Sequence, residues 1–166
     1  MQIDPDQRAQ ARRAAQAALR EGRLYATGDD AIPIWLALLE QDPKDQRARA
    51  GLRQARTALL AQADALLQQQ LQQRQALAEA AGIALVLLTI APEDEQVRRL
   101  QRQVETAQRA VAFNRAGEDD LRAGRIGEEG DGALDNFREA LALDPDSQSA
   151  QRGLQDVGRQ LLAQAR

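Results

Sequence analysis

The feature of this sequence that most restricts its fold is an internal repeat at a constant offset of 102 residues. Residues 19–24 correspond to residues 121–126, and residues 39–43 correspond to residues 141–145. The match continues without a gap through four identical pairs, which are Gln46 and Gln148, Ala48 and Ala150, Gly51 and Gly153, and Leu52 and Leu154. Because each copy of a repeat builds the same small unit, the chain is expected to be a stack of similar units.

A weaker third copy lies between these two. Pro92 stands where the other copies have Pro43 and Pro145, so that the three prolines are 49 and then 53 residues apart. An apolar stretch over residues 78–90 precedes Pro92, as apolar stretches precede the other two prolines. We therefore expect a single domain over residues 1–166, belonging to a larger protein. Its expected parts are three units, over residues 4–43, 44–92 and 93–145, and a capping helix over residues 146–166.

Each unit is expected to contain two helices. Ala, Leu, Gln, Arg and Glu favour helices and dominate the chain, whereas aromatic residues, at 2%, are scarce. Asp4 before Pro5 is typical of a helix start, and Gly22 of a helix end. The second helix is expected to begin near residues 29–30 and to end before Pro43, since the residue preceding a proline avoids the α region. Together these signals predict seven helices and an all-α fold.

A long helix with one apolar face is expected after each of the three prolines. Apolar residues recur there at spacings of three and four, which places them on one side of a helix. They are Ala48, Leu52, Ala55 and Leu59, then Val97, Leu100, Val104, Ala107 and Val111, and last Ala150, Leu154, Val157 and Leu161. The last helix has a polar back, typical of the cap that closes a stacked array. Such helices also permit a homodimer, because an exposed apolar seam can pack against a second copy.

These units resemble tetratricopeptide repeats, in which each unit has a first helix, called A, and a second helix, called B. Small residues of helix A meet small and aromatic residues of helix B, and a proline closes the unit. The residues that carry the resemblance are Phe113, Ala116, Gly117, Leu121, Ala133, Phe137, Ala140 and Pro145 in the last unit, and Ala14, Leu19, Ala31, Trp35, Leu38 and Pro43 in the first. The units are longer than the roughly 34 residues usual in the family. The resemblance implies a degenerate, elongated TPR-like α-solenoid, similar to repeat domains of bacterial envelope and signalling proteins.

The resemblance also implies a binding surface, because the A helices of the family form the concave face that takes up peptides or helices. Carried over by position, the residues on that face are Arg12, Gln16, Arg20, Asn114, Glu118 and Arg122. A solvated polar face would show the same pattern. The function that the resemblance predicts is a protein–protein interaction or scaffold module. A regulatory or sensory domain of a bacterial membrane-anchored signalling protein, periplasmic in that case, stays open as the alternative.

Trp35, the only tryptophan of the chain, fits two interpretations. A single exposed tryptophan is typical of a binding hot spot. Its counterpart in the repeat, however, is Phe137, at the position that packs between the two helices of a unit. We therefore expect Trp35 in the core.

The composition leaves few groups for catalysis. The chain has no cysteine and no histidine, which removes thiolates, the commonest general base and the commonest metal ligand. Motifs for a nucleophile, a phosphate-binding loop or a metal site are absent from the sequence. The acidic turns at residues 28–30 and 128–131 lack the spacing of a calcium loop and are better explained as helix N-caps. We therefore predict no enzyme activity, no cofactor and no metal.

Charge and hydropathy restrict partners and location. The net charge of −3 and the pI near 5.1 argue against a nucleic-acid partner. Residues 1–6 have neither the basic nor the apolar region of a signal peptide, and the longest apolar run, residues 83–91, is too short to cross a bilayer. We expect a soluble domain that does not insert into membranes. The sequence leaves periplasm and cytoplasm equally open.

Overall fold

A computed structural model describes residues 7–69, 74–127 and 132–164, and these residues form seven helices and no strand. In chain order the helices are α1 (Arg8–Arg20), α2 (Ala31–Gln41), α3 (Gln46–Gln69), α4 (Arg74–Ile90), α5 (Glu95–Arg122), α6 (Ala133–Leu143) and α7 (Gln148–Gln164). The all-α class predicted from the sequence is confirmed. The predicted helix start at Asp4 and Pro5 and the second acidic turn, residues 128–131, lie outside the described residues.

The glycine turn of the repeat has the same geometry in both copies. Gly22 after α1 has φ 72° and Gly124 after α5 has φ 76°, a left-handed conformation in which glycine carries no steric penalty. In each copy the first amides of the next helix donate hydrogen bonds to carbonyls just after the glycine. These bonds run from Ala31 to Arg23, from Ile32 to Leu24, from Ala133 to Arg125 and from Leu134 to Ile126. The glycines therefore end one helix and position the start of the next.

The three proline turns also start the next helix in a common way. The residues two positions after the prolines are Asp45, Asp94 and Ser147. Their side chains accept hydrogen bonds from first-turn amides: Asp45 Oδ1 from Arg47 at 2.9 Å, Asp94 Oδ1 from Gln96 at 2.9 Å, and Ser147 Oγ from Ala150 at 3.4 Å. Such bonds satisfy amides that have no partner within the helix.

The odd-numbered helices form a continuous row, since α1 contacts α3, α3 contacts α5, and α5 contacts α7. The even-numbered helices each pack on two members of this row: α2 on α1 and α3, α4 on α3 and α5, and α6 on α5 and α7. Within the described residues, the even-numbered helices do not contact one another. Each helix thus contacts only its near neighbours in the sequence.

Helix α5 joins two hydrophobic cores. The larger core is formed by α1 to α4 and the first half of α5, and it includes Trp35, Leu59 and Leu100. The smaller core is formed by α6, α7 and the end of α5, around Phe137 and Val157. Because α5 has 28 residues, its two halves face different neighbours.

The aromatic side chain of each full repeat packs against a glycine. Trp35 is 3% exposed and Phe137 is fully buried, which confirms the expected core position of Trp35. A Cβ atom placed on Gly51 would overlap the Trp35 ring, and one placed on Gly153 would overlap the Phe137 ring. The glycines therefore let α3 and α7 approach these rings closely.

The predicted apolar faces are wrong at two positions. Val111 is 41% exposed, because the buried face of α5 passes through Ala107 and Ala110 as the helix leaves α4 and meets α6. Leu161 is 42% exposed, because the helices that pack on α7 leave its last turn uncovered.

Candidate partner-binding site

An open groove of about 920 Å³ lies between α3 and α5, next to the end of α6. Its apolar lining comes from both helices and from the last residue of α6. These residues are Leu60, Ala61 and Leu67 of α3, Ala107 of α5 and Leu143 of α6. The groove therefore lies between two neighbouring members of the odd-numbered row.

The two walls of the groove carry charges of opposite sign. Asp64 on α3 is exposed, and Arg99 and Arg102 on α5 are exposed on the other wall. Arg99 approaches Glu95 at 3.9 Å, a surface contact that contributes little to stability. Arg102 has no ion-pair partner among the described residues. Both guanidinium groups are therefore accessible to an acidic partner group.

The six contact residues predicted from the sequence fall into two separate groups. Arg12, Gln16 and Arg20 lie on α1, whereas Asn114, Glu118 and Arg122 lie on the second half of α5. Helices α1 and α5 do not contact each other in the part of the chain that the structure describes, and none of the six residues lines the groove. Their role as a partner surface remains a prediction.

Two of these six residues hold neighbouring odd-numbered helices together. Arg12 Nη2 of α1 donates to Asp45 Oδ2 at the start of α3, at 2.6 Å. Asn114 Nδ2 of α5 donates to Ser149 Oγ in the first turn of α7, at 2.6 Å. A third pair of the same kind, Arg56 Nη1 of α3 and Asp94 Oδ2 before α5, is 2.8 Å apart. We call these three contacts the interhelix clamps.

The Asp45 carboxylate is held in its charged form by the first clamp. Burial disfavours the ionised form, but hydrogen bonds from Arg12 and from the amides of Ala48 and Arg47, with the charge of Arg12, outweigh it. The pKa of Asp45 is therefore lowered below its ordinary value of 3.8. The clamp is an ion pair at neutral pH.

The other four predicted contact residues differ in their surroundings. Gln16 is half-buried, and Arg20 and Glu118 are exposed. Arg122 is exposed as well and pairs with Asp119 on its own helix. These side chains lie at the surface but form no shared site within the described residues.

The glycine turns contain an ion pair whose carboxylate comes from a different position in each copy. Arg23 donates to Asp30 Oδ1 at 3.2 Å, whereas its counterpart Arg125 donates through Nε to Asp120 Oδ1 at 3.0 Å. The counterpart of Asp30 is Gly132, and that of Asp120 is Ala18. Each copy therefore keeps the arginine and supplies one buried carboxylate to it.

Of residues 29–30, Asp30 occupies the predicted N-cap position of α2, but its side chain does not cap the helix. Asp30 precedes α2, but its Oδ2 accepts from the amide of Thr27 at 2.7 Å and not from an amide of α2. Asp29 is exposed, and its carbonyl oxygen accepts from Arg23 at 3.3 Å. The hydrogen bond from Thr27, with that from Arg23, outweighs burial and lowers the pKa of Asp30. The Asp30 carboxylate therefore binds its own loop and Arg23 instead of the first turn of α2.

Neither a metal site nor a membrane span stands out in residues 7–69, 74–127 and 132–164. No group of three or more Asp or Glu side chains there could hold a metal ion. No helix there is long and apolar enough to cross a membrane.

The interpretation of the sequence missed the groove and the partners in the clamps. A signal for the clamp carboxylates exists, because Asp45 and Asp94 each stand two residues after a proline. The arginines that pair with them stand at unequal separations, 33 residues for Arg12 and 38 for Arg56, so no fixed spacing indicates them. The groove joins residues of α3 and α5 that are far apart in the chain.

No model of a protein family matches this chain, and no curated protein or solved structure matches it either. The function of the chain is therefore inferred from its own residues and their geometry.

Proposed function

We propose that this protein is a protein-binding module that holds a peptide or helix of a partner on its row of odd-numbered helices, in a degenerate TPR-like arrangement. The observation that carries the proposal is the open groove between α3 and α5. The alternation of row and covering helices, with an aromatic side chain between them in two of the units, supports the TPR-like arrangement.

The lining of the groove suits a helix or an extended segment. Leu60, Leu67 and Leu143 offer apolar contacts along it, while Asp64 and Arg102 lie on opposite walls. An amphipathic helix lays its apolar face into such a groove and orients itself through the charges at the rim. The favoured partner segment thus has an apolar face, acidic groups toward α5 and a basic group toward α3.

The chemistry of the side chains supports binding over catalysis. The 166 residues of the sequence contain neither histidine nor cysteine. Among the described residues, the carboxylates with lowered pKa are Asp30 and Asp45, and both are occupied by hydrogen bonds from their own turns and from arginines. Neither lines the groove.

Photo-crosslinking identifies the partner. A photoreactive amino acid replaces Gln103, which lines the groove, and the protein is irradiated in extracts of its native cells. The same amino acid at Arg138, which is exposed on α6, is the control. We expect a crosslinked protein specific to position 103.

Affinity measurements with that partner then locate the surface. The groove variant Arg99→Glu/Arg102→Glu is compared with Arg20→Glu/Arg122→Glu on the predicted A-helix face and with Arg138→Glu/Arg159→Glu as control. All six arginines are exposed, and each pair changes the charge equally. We expect about a tenfold or larger loss of affinity in the groove variant alone. If the groove variant kept its affinity, the groove would not be the binding site. A loss of affinity limited to Arg20→Glu/Arg122→Glu would place the partner on the predicted A-helix face instead.

A further inference from the structure

Basic and acidic residues are unevenly distributed over the helices of this protein. The chain as a whole carries a net charge of −3. Helices α1 and α3 nevertheless contain four arginines each, and their only acidic residue is Asp64. The arginines are Arg8, Arg12, Arg13 and Arg20 of α1 and Arg47, Arg49, Arg53 and Arg56 of α3. These two neighbouring members of the odd-numbered row therefore form a strongly basic part of an acidic chain.

Most of these arginines are not neutralised by the protein itself. Arg12 pairs with Asp45 and Arg56 with Asp94, in the two ionic interhelix clamps. Five others are exposed and form no ion pair within the described residues. They are Arg13, Arg20, Arg47, Arg49 and Arg53. Their positive charges are therefore open to acidic groups from outside this part of the chain.

Four of the exposed arginines lie on the side of the row that faces away from α2. Arg13 and Arg20 are separated by about two turns of α1, so that they share one side of it, opposite the buried Ala15. Arg49 and Arg53 are about one turn apart on α3, outside the buried side that packs on α2. We call these four residues the arginine face.

The arginine face is a side of the row and not one of its ends. A further helix of the row would pack beside α1 or α7, as α3 packs beside α1, and a further covering helix would lie on the side of α2. Such helices would leave the arginine face open. The inference drawn from this face therefore holds equally for a longer chain.

We propose that the arginine face binds an acidic peptide segment of a partner protein, rich in aspartate and glutamate. A guanidinium group binds a carboxylate through two parallel hydrogen bonds, a geometry that lysine does not offer. Arginines on two adjacent helices can hold successive carboxylates of one extended segment. This site is separate from the groove between α3 and α5, and its existence does not rest on the groove.

The surroundings of the arginine face favour a peptide over a membrane or a nucleic acid. No large apolar side chain of α1 or α3 is exposed, so that an anchor for a lipid surface is lacking on these helices. Neither helix contains an aromatic residue on which a base could stack. The exposed carboxylates of Glu21, next to Arg20, and of Asp64 on α3 would repel a long phosphate backbone. A short acidic segment fits between them.

A labelled peptide of alternating glutamate and serine is the probe for this site. Its binding to the intact protein is followed by fluorescence anisotropy at low salt. We expect saturable binding that weakens as salt is added, because salt screens exposed charges. The same peptide with glutamine in place of glutamate has the same length and no side-chain charge, and it is expected not to bind.

Variants of the protein locate that binding. Arg13→Glu/Arg53→Glu changes one arginine of the face on each helix and is expected to weaken the peptide about tenfold or more, because attraction becomes repulsion. Arg13→Gln/Arg53→Gln is expected to lose less, since it removes the attraction only. The control Arg138→Glu/Arg159→Glu changes the net charge by the same amount at exposed positions of α6 and α7.

The groove variant Arg99→Glu/Arg102→Glu separates this proposal from the groove. It changes the net charge as much as Arg13→Glu/Arg53→Glu does, but its arginines lie on α5, outside the arginine face. We expect it to lose much less affinity for the peptide than Arg13→Glu/Arg53→Glu. The two proposals can therefore fail independently.

Four outcomes would overturn the arginine face as proposed. The first is no saturable binding of the glutamate peptide at low salt. The second is an equal loss in Arg13→Glu/Arg53→Glu and Arg138→Glu/Arg159→Glu, because net charge alone would then explain the binding. The third is tighter binding of a labelled oligonucleotide or of anionic lipid vesicles than of the peptide. The fourth is self-association of the wild type in sedimentation experiments that Arg13→Glu/Arg53→Glu abolishes, because the occupant would then be a second copy.

Discussion

Single glycines decide how closely the helices of this protein approach its aromatic side chains. Gly51 and Gly153 stand under Trp35 and Phe137, and Gly117 lies on the other helix that contacts Phe137, where a Cβ atom would lie 2.8 Å from Cε1. A ring cannot move aside by flexing as a long side chain can. The repeated pairing of glycine with ring therefore sets the spacing of α2 from α3 and of α6 from α7.

A Gly→Ala substitution is expected to have opposite effects at a glycine that contacts a ring and at one that does not. Gly51→Ala is expected to lower the free energy of unfolding by about 1–3 kcal/mol, because the new methyl group overlaps the buried Trp35 ring. Gly82→Ala in α4 is expected to raise it by about 0.5–1 kcal/mol, since a Cβ atom there meets nothing within 4 Å and alanine favours the helix. Urea denaturation measures both. Equal effects of the two variants would show that the ring contact does not limit the spacing.

Whole helices were predictable from local signals, whereas contacts between them were not. The glycine and proline turns indicated α2 at Ala31–Gln41 closely, because Gly22 and Pro43 act on their own backbone. The buried face of α5 was not predictable to the same extent, since Val111 and Ala110 both fit a helical spacing. Only the change of neighbour from α4 to α6 selects Ala110.

The candidate sites also depend on contacts between helices, which local sequence signals do not predict. The A-helix residues were chosen by position, and Arg12 instead pairs with a helix start that the sequence separates from it by 33 residues. The groove depends on the distance between α3 and α5, which the packing of α4 sets. Neither property is encoded in a local pattern.

The first clamp, between α1 and α3, makes stability depend on pH. Because the pKa of Asp45 is lower in the folded chain, the folded state binds fewer protons than the unfolded state in mildly acidic solution. The stabilisation is present above the ordinary pKa of 3.8 and is lost as the pH falls through the lower folded value. We expect Asp45→Asn to cost about 1–2 kcal/mol at pH 7, since an ionic hydrogen bond is removed while asparagine still caps the helix.

Urea denaturation of the wild type and Asp45→Asn from pH 7 down to pH 3 checks this expectation. The difference between the two proteins should be constant above about pH 5 and should shrink below pH 4. Asp146→Asn, which removes an exposed carboxylate, is expected to stay near the wild type at pH 7. A difference that persists unchanged at pH 3 would mean that the charge of Asp45 does not stabilise the clamp.

At the scale of the whole molecule, two cores of unequal size share one helix. The larger core spans α1 to α4 and the first half of α5, and the smaller core spans α6, α7 and the end of α5. Arrays in which each element contacts only its neighbours have a stability close to the sum of local terms. The end formed by α6 and α7, which has the smaller core, is therefore expected to open more readily than the groove between α3 and α5.

Phe137→Ala and Trp35→Ala together test whether the two cores open independently, because each substitution removes an aromatic ring from one core. Either cavity is expected to cost about 3–5 kcal/mol locally. Hydrogen exchange followed by mass spectrometry should show that Phe137→Ala lowers protection in α6 and α7 while α2 to α4 keep theirs. Trp35→Ala should instead lower protection in α1, α2 and the part of α3 that packs on Trp35. If Phe137→Ala lowered protection equally in all helices, the molecule would be one cooperative unit. In that case α5 would transmit the loss of packing from the smaller core to the larger one.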